Sequence, residues 1–407
     1  MDKTEFYRDA RRDLTGPLDG IRVIDLTTAW AGPMAGCLLA DFGADVVRVT
    51  APGDVGNLWP PLFPGTQRSP AEETVNRNKR SISIDLRLPE GAQTFLRLVE
   101  TADMVVENFK PGTLSGWGVG YDDCRTVKPD IVYVSVSGYG QFGPRSSSPG
   151  YDPAALAFSG WMSLNGEPDG PPTKAPTFLA DDLAGLHAAL GALAALRHRD
   201  TTGEGQHVDV ALVDSILFQS NAYPAMAASG LAGERWANQM GVCAPTNSYE
   251  CADGRHVYLG LLLDTHWQKL CVLIERDELA LAPGYATNLE RIENRDVVDS
   301  LVVEWCAAHT SEQVLALMAD AGLVAAPVND YATAIADEHV RDREMLQQVT
   351  MVDGNVVEIT GPAAKFSRTP TKVRHGAPRS NQHTDEVLGE LFDIGELVAL
   401  RSSNVID

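Results

Sequence analysis

The sequence lacks the motifs that mark the common nucleotide, metal and hydrolase sites. It contains no P-loop, no G-x-S-x-G and no H-E-x-x-H, and its one G-x-G-x-x-G match, residues 138–143, runs into the segment PRSSSPG instead of opening a helix. Its six cysteines are scattered without C-x-x-C spacing, so we expect buried reduced thiols rather than a zinc site or a disulfide framework. Dinucleotide chemistry, nucleoside triphosphate hydrolysis, a lipase-type triad and zinc catalysis therefore lose their usual support.

Positive charge is also scarce. Lys and Arg total 33 against 55 Asp and Glu, which gives a formal net charge of −22 at pH 7. Such a field repels a phosphate backbone, so nucleic acid and anionic membrane surfaces are excluded as expected partners. A small anionic ligand stays compatible, because a local group of cations acts within a screening length of about 8 Å.

Long apolar runs are missing as well. The best candidate for a membrane span, residues 183–196, is rich in Ala, contains His187 and is shorter than the roughly 18 uninterrupted apolar residues required. The first residues, MDKTEFYRDARRDLTG, contain no apolar segment typical of a secretion signal. We therefore expect a cytoplasmic protein with no membrane partner.

What is present indicates an α/β fold. A length of 407 residues and a hydrophobic fraction of 44% predict a folded protein of two lobes. From residue 19 to residue 103, strand-like segments alternate with helical ones: GIRVIDLT, MAGCLLADFG, ADVVRVT, SISIDL, PEGAQTFLRLVETA and ADMVVENF. The segment IVYVSVSGYG adds a further strand. This alternation predicts a parallel sheet with helices on both faces and ligand sites at the carboxyl ends of the strands. A long polar connection, residues 51–78, interrupts it.

The remaining chain divides into three parts. The strongest helix is predicted at residues 181–200, and the pattern weakens around residues 223–239, which marks a domain boundary. A second α/β unit follows, and the tail reads as an antiparallel pair around D-G-N with a closing helix at TDEVLGELF. We expect a large domain at residues 1–222, a small domain at 223–330 and a return to the large domain at 331–407.

Six segments, taken in order, resemble the family III CoA-transferases, which include formyl-CoA and carnitine CoA-transferases and the related alpha-methylacyl-CoA racemase. The resemblance covers residues 17–391. Its segments are PLDGIRVIDLTTAWAGPMAG, NRNKRSISIDL, ADMVVENFKPGTL, SVSGYGQFGP, LADDLAG and TGEGQHVDVAL. It implies a Rossmann-like large domain with a smaller inserted α/β domain, and two chains interlocked as a homodimer.

The resemblance also implies a nucleophile. The family has an aspartate in a D-x-x-x-G setting, and the matching residue is Asp181, with Gly185 four positions later. Capping offers an alternative reading, because an Asp at the start of an Ala/Leu helix is what an N-cap alone would select. The adjacent Asp182 is interpreted as a plain cap or a solvated neighbour.

The implied chemistry is transfer of CoA between carboxylic acids through an aspartyl anhydride and an aspartyl-CoA thioester. An acyl-CoA thioester and an acid acceptor are the substrates, and neither a metal nor a permanently bound cofactor is required. Backbone N–H groups near Trp30, Ala31 and residues 138–140 are candidate oxyanion donors. The implied CoA-binding residues are Trp30, Ala31, Ile84, Arg87, Asn108, Phe109, Gly138 and Tyr139.

Cations for the CoA phosphates are less evident. Lys79 and Arg80 are candidates, with a solvated turn as the equally weighted alternative. Formyl-CoA transferase has arginines at the positions of Ala51 and Gly116, so phosphate binding here must use other cations. The glycine-rich loop of that enzyme has no clear counterpart, which argues against an oxalate or formyl substrate. Carnitine-like, dicarboxylic, aromatic and bile-acid-like substrates stay open.

Two other functions are weighed against transfer. A 2-methylacyl-CoA racemase needs two groups that exchange an α-proton, and Tyr151 stands where the racemase has the histidine of its G-H-D motif. A phenol is a poor substitute for imidazole in that exchange near neutral pH, so transferase ranks above racemase. A catalytically silent CoA-binding protein is the third reading, and the intact Asp181-to-Gly185 pattern argues against it.

Overall fold

A computed structural model describes residues 2–56 and 59–407. Residues 57 and 58, part of the predicted connection at 51–78, lie outside the described residues. The chain divides into two compact units. The larger consists of Met1–Trp161, Lys174–Pro224 and Glu338–Asp407, and the smaller of Met162–Thr173 and Ala225–Asp337. The sequence did not indicate that residues 162–173 belong with the smaller unit.

Strands occur in both units. They are β1 (Arg22–Leu26), β2 (Asp45–Thr50), β3 (Lys79–Ser83), β4 (Met104–Glu107), β5 (Val132–Ser137), β6 (Gln206–Ala211), β7 (Thr246–Glu250), β8 (His256–Gly260), β9 (Ala325–Pro327), β10 (Leu346–Thr350) and β11 (Val356–Thr360).

Helices connect them. They are α1 (Lys3–Phe6), α2 (Ala31–Asp41), α3 (Pro70–Asn76), α4 (Pro89–Val99), α5 (Thr113–Gly116), α6 (Tyr121–Val127), α7 (Asp152–Phe158), α8 (Trp161–Leu164), α9 (Leu179–Thr202), α10 (Leu212–Phe218), α11 (Tyr223–Ala228), α12 (Asp264–Leu273), α13 (Asn288–Glu293), α14 (Arg295–Ala307), α15 (Ser311–Asp320), α16 (Tyr331–Ala336), α17 (Glu338–Asp342), α18 (Thr384–Leu388) and α19 (Ile394–Ser402), with a 3₁₀ turn at Asp277–Leu279.

The centre of the larger unit is a six-stranded sheet with the order β3-β2-β1-β4-β5-β6. All five strand pairs are parallel. The predicted parallel α/β sheet is therefore confirmed, and its order is that of doubly wound dinucleotide-binding folds. In such sheets the connections reverse direction between β1 and β4, so that a crevice opens at the carboxyl ends of these two strands.

Both faces of this sheet are covered. Helix α2 contacts β1, β2 and β4, while α9 contacts α2, β5 and β6. The other face carries an apolar core in which side chains such as Ile24, Val47 and Val105 pack with Phe95 of α4 and Leu388 of α18. Alternate residues of a strand point to opposite faces, which separates Ile24 from Asp25.

Helix α9 is longer than the predicted span of 181–200, because it begins at Leu179 and ends before Gly203. Gly203 adopts a left-handed conformation with φ of 77°, which favours glycine at a helix C-terminus. Among the described residues, α9 alone is long and apolar enough to cross a membrane by length and composition. Core helices of soluble proteins pass the same test, and this helix packs against the sheet.

Strand β3 begins at Lys79, two residues earlier than the predicted segment SISIDL. The ammonium group of Lys79 is fully buried and donates to Asp25 Oδ2 at 2.7 Å, to the carbonyl oxygen of Pro33 at 2.9 Å and to Asn76 Oδ1 at 2.9 Å. Gly36 leaves the space for this contact, since a Cβ there would lie 2.3 Å from Asp25 Oδ2. Lys79 is thus neither a solvated turn residue nor a free cation.

The smaller unit is described by itself. Its sheet is antiparallel with the order β7-β8-β9. An apolar core of Tyr249, Val257 and Leu259 packs with Trp267 of α12 and Val302 of α14. In the tail of the larger unit, β10 and β11 form the predicted antiparallel pair, and α18 occupies the start of the predicted closing helix.

Replacing Lys79 tests how strongly the buried ion pair supports the fold. Lys79→Met leaves the fully buried Asp25 carboxylate without its cation, which we expect to lower the free energy of unfolding by about 3–5 kcal/mol. Urea denaturation measures this value. The matched control is Lys128→Met, which removes a solvent-accessible pair with Asp130 and should cost less than about 1 kcal/mol. If both variants lowered the free energy of unfolding equally, the result would contradict a special role of the Lys79–Asp25 ion pair in supporting the fold.

Candidate active site

A cavity of about 260 Å³ lies at the β1/β4 crevice of the larger unit. Its walls come from the turn after β1, the turn after β4 and the start of α9. The residues that line it include Ala29, Trp30, Ala31, Asn108, Phe109, Lys110, Gly138, Tyr151 and Asp181. The cavity is therefore where a doubly wound sheet is expected to bind its ligand.

The turn after β1 is held from two sides. Asp25 Oδ1 accepts the N–H of Thr27 at 2.9 Å, while Asp25 Oδ2 forms the ion pair with Lys79. Asn108 Oδ1 accepts the N–H of Thr28 at 2.9 Å, and Asn108 Nδ2 donates to the Thr28 carbonyl at 2.8 Å. A Cβ on Gly32 would lie 2.5 Å from Thr27 Cγ2. The two turns are consequently locked together at close approach.

Helix α2 begins at Ala31, on the cavity wall. The first N–H groups of a helix have no acceptor within the helix, so the N–H of Ala31 has no partner inside α2. The predicted donors at residues 138–140 are only partly available, because the N–H of Gly140 already donates to Ser137 Oγ at 2.9 Å. Gly138 lines the cavity and packs against Gly150. A Cβ on Gly138 would lie 2.7 Å from the Cα of Gly150.

Asp181 lies in the first turn of α9 and is partly buried. The N-cap alternative is wrong for both acidic residues. Phe178 is the N-cap residue, and Asp152 Oδ1 accepts the N–H groups of Ala180 at 2.7 Å and Asp181 at 3.4 Å. Asp182 Oδ1 accepts Trp30 Nε1 at 2.6 Å, so Asp182 is neither a cap nor simply solvated. The capping carboxylate comes from another helix, and the side chain of Asp181 stays on the cavity wall.

Three carboxyl groups crowd this helix start, which disfavours their charged forms. Burial raises the pKa of Asp181 to about 7, and the charges of Asp152 and Asp182 add to the effect. Burial also raises the pKa of Asp152 and of Asp182. Perturbed carboxyl groups in a cleft are typical of catalytic sites, although ion-pair networks also produce them.

The structure brings six of the nine predicted site residues to one cavity. Lining it are Trp30, Ala31, Asn108, Phe109, Gly138 and Asp181. The other three lie elsewhere. Ile84 is buried in the apolar core on the far side of the sheet, because it follows β3 on the core face.

Arg87 and Tyr139 are the other two predicted site residues that do not line the cavity. Arg87 is exposed and its guanidinium group pairs with Asp85 at 2.7 Å. The ring of Tyr139 packs edge-on against Phe158, with a centroid distance of 5.4 Å. Arg80, the remaining candidate cation, pairs with Asp45 and Glu386.

Sequence reasoning missed two residues that shape the site. Asp152, which follows Tyr151 in the sequence, caps α9, and its Oδ2 is buried without a hydrogen-bond partner. An Asp followed by Pro at a helix start was the available signal, but it marks α7 rather than α9. Asp25 gave no signal beyond a charge inside an apolar strand. Among the described residues, no group of three or more His, Cys, Asp and Glu could hold a metal ion.

A doubly wound α/β fold with a carboxyl group in its β1/β4 cavity defines a ligand-binding enzyme scaffold. The sequence from residue 18 to 384 matches the family model described as CoA-transferase family III. The chain belongs to that family and is a CoA-transferase.

Characterised relatives support this assignment. The chain is 38% identical to a succinyl-CoA:mesaconate CoA-transferase from Haloarcula hispanica, covering 92% of this chain and 96% of the relative. It is 35% identical to a succinyl-CoA–D-citramalate CoA-transferase from Chloroflexus aurantiacus, covering 96% and 98%. A crystal structure of a CAIB/BAIF family protein from Brucella suis matches with a TM-score of 0.81, 33% identity and coverage of 93% and 100%.

The raised pKa of Asp181 predicts a pH-dependent stability. In the folded state this carboxyl group holds its proton up to about pH 7, whereas in the unfolded chain it loses it near 3.8. Stability must therefore fall as pH rises through this window. Asp181→Asn should raise the free energy of unfolding by about 1–3 kcal/mol at pH 8 and leave it nearly unchanged at pH 4.

Denaturation at both pH values measures this difference. Asp130→Asn, at a solvent-accessible position, provides the matched control and should show no such pH-dependent gain. A gain for Asp181→Asn that is the same at pH 4 and pH 8 would show that its pKa is not raised.

Proposed function

We propose that this CoA-transferase moves CoA between carboxylic acids with Asp181 as the nucleophile. The observation that carries the proposal is that Asp181 and Ala31, the first residue of α2, line the same β1/β4 cavity. Nucleophile and oxyanion donors thus face one space. Within the described part of the chain, no side-chain hydrogen bond stabilises the Asp181 carboxylate, which leaves its oxygens available for attack.

The reaction proceeds in balanced steps. The Asp181 carboxylate attacks the thioester carbonyl carbon, and the C–S bond breaks to give a mixed anhydride and CoA thiolate. The thiolate then attacks the aspartyl carbonyl, which releases the donor acid and forms an aspartyl-CoA thioester. An acceptor carboxylate reverses these two steps and leaves as the new acyl-CoA. Charge, atoms and protons balance without a permanently bound cofactor.

Positioning and electrostatics supply the rate. A pKa of about 7 leaves Asp181 close to half ionised at neutral pH, and its carboxylate is more basic than an ordinary aspartate. The N–H of Ala31 serves as a donor to the developing oxyanion, because the start of α2 carries partial positive charge. Desolvation in the cavity strengthens both effects.

The CoA arm is proposed to lie along Trp30, Ala31, Asn108, Phe109 and Gly138. Lys110, at the cavity rim, takes the place of the arginines missing at Ala51 and Gly116. Arg87 stays a proposed phosphate contact through its exposed side chain. Ile84 and Tyr139 are proposed to act only by packing behind these residues.

The substrate class follows from the relatives. Two of them are named for succinyl-CoA and for dicarboxylic acids, mesaconate and D-citramalate. We take succinyl-CoA as the first donor to test and dicarboxylic acids of four or five carbons as first acceptors. Ser146 and Ser148 line the cavity, and their hydroxyl groups fit a second carboxylate.

Asp181→Asn is the decisive variant for the nucleophile. It should lower kcat for succinyl-CoA-dependent transfer by at least about 10³-fold, because the amide cannot form the anhydride. CoA binding, measured by calorimetry, should change less than about threefold. Asp182→Asn is the matched control, since its amide oxygen can still accept Trp30 Nε1, and it should keep kcat within about tenfold.

Trapping separates the rival functions. Wild-type protein incubated with succinyl-CoA and then hydroxylamine should carry a hydroxamate on Asp181 by mass spectrometry. Full transfer activity in Asp181→Asn would refute the nucleophile. Deuterium exchange at the α-carbon in heavy water without an acceptor would favour a racemase, and CoA binding without any adduct would favour a silent binding protein.

A homodimer is part of the proposal, with the interlocked arrangement taken from the family resemblance. Its support here is an exposed apolar surface on α9 and α10, where Leu186, Leu190 and Phe218 are 51%, 61% and 75% exposed. Isolated large apolar side chains are common on surfaces, but a cluster on one face is typical of an interface.

Light scattering after size exclusion tests the dimer. The mass should be twice that of one chain and stay constant on dilution, because interlocked chains cannot separate without unfolding. A Leu190→Glu variant should express poorly or unfold rather than give a folded monomer. A stable folded monomer in either protein would contradict the interlocked arrangement.

A further inference from the structure

Glu107 is a buried acidic side chain for which the transfer steps above have no use. It is the last residue of β4 and is 5% exposed. In the sheet it pairs with Ser135 of β5, which in turn pairs with Asp209 of β6. Since paired residues of parallel strands point to the same face, these three side chains form a row at the carboxyl edge of the sheet.

Two neighbouring groups interact with the Glu107 carboxyl group. Its Oε2 accepts the N–H of Phe109 at 2.7 Å. The hydroxyl group of Ser135, the residue that pairs with Glu107 in the sheet, acts to lower the pKa of the carboxyl group. The same hydroxyl lies 2.8 Å from His207 Nε2. The chain of contacts therefore runs from a partly exposed imidazole, through a buried hydroxyl, to the backbone of the cavity turn.

This arrangement fixes the turn after β4 from the side away from Asp181. Asn108 holds the same turn from the other side through its two bonds to Thr28. Lys110 and Pro111, which follow, line both the active-site cavity and a second cavity of about 170 Å³ that contains Glu107, Ser135 and His207. The turn is thus a wall between two cavities, and its backbone has one anchor on each side.

We propose that Glu107 is a positioning residue for CoA, which holds the Asn108–Phe109 turn in its binding conformation through the N–H of Phe109. This inference rests on the proposed function, because it assigns that turn to the CoA site. Phe109 packs against Trp117 with a centroid distance of 5.5 Å, so rotation of its peptide group would also displace the ring from the cavity wall.

The acceptor atom, rather than the negative charge, is what the turn requires. Burial raises the pKa of Glu107 to about 7, and the charge of Asp209 adds to the rise. The carboxyl group is therefore often neutral at physiological pH, yet it can accept the Phe109 N–H in both forms. An amide of the same length can supply an equivalent oxygen, which makes glutamine a conservative replacement.

The test compares three replacements of Glu107 in the full-length protein. Glu107→Ala should raise the Kd for CoA and the KM for succinyl-CoA about tenfold, as expected for loss of one hydrogen bond to a part-buried donor, with kcat within about twofold. Glu107→Gln should restore both constants to within about threefold of wild type. Glu107→Asp keeps the charge but shortens the side chain, and it should resemble Glu107→Ala.

Glu107→Asp also carries the test if the alanine variant does not fold. Glu100→Ala, an exposed acidic residue at the end of α4, is the control and should leave both constants unchanged. Unchanged Kd and KM in the Ala and Asp variants overturn the inference, as does a Gln variant as weak as Ala. A wild-type protein that fails to bind CoA refutes instead the proposed function, and so separates the two failures.

Discussion

The buried ion pair between Lys79 and Asp25 is the interaction on which the site depends. One ammonium group contacts a carboxylate of β1, a carbonyl of α2 and an amide of α3, so it links three segments that meet beneath the cavity. The second oxygen of Asp25 holds the turn that leads to Trp30. Because both charges are fully buried, neither can be lost without leaving the other uncompensated.

Close packing by glycine makes this arrangement geometrically accessible. Gly36 lets α2 approach Asp25, and Gly32 lets the two turns meet. Gly185 allows α9 to lie against α2, since a Cβ there would be 2.8 Å from the carbonyl oxygen of Ala31. The first turns of two helices, one offering N–H donors and the other Asp181, therefore reach the same cavity. Larger side chains at these positions would separate Asp181 from the first turn of α2.

The start of α9 shows a compromise between stability and chemistry. Three carboxyl groups, those of Asp152, Asp181 and Asp182, lie near each other in a chain that is already strongly acidic. Two are given donors: Asp152 accepts helix N–H groups and Asp182 accepts the Trp30 indole. Asp181 is held at a raised pKa instead, which weakens the fold at neutral pH and leaves a basic carboxylate in the cavity.

Local sequence determined most of the fold and the identity of the cavity turns. Val- and Ile-rich segments alternating with helical ones were enough to predict a parallel sheet, and a cavity lies at the carboxyl ends of its strands. The start of β3 was placed too late because Lys79 and Arg80 look solvated until their partners, distant in sequence, are known. Ile84 was assigned to the site through the family resemblance alone, whereas its side chain points to the core.

What only the tertiary structure decided concerns charges whose partners lie far along the chain. The sequence by itself placed an aspartate at the start of a helix, and that pattern is the same for a cap and for a nucleophile. Folding brings Asp152 to the helix N–H groups and Trp30 to Asp182, which leaves Asp181 facing the cavity. The role of a carboxylate depends on its solvation and on nearby donors and charges, and these are set by three-dimensional packing rather than by neighbours in sequence.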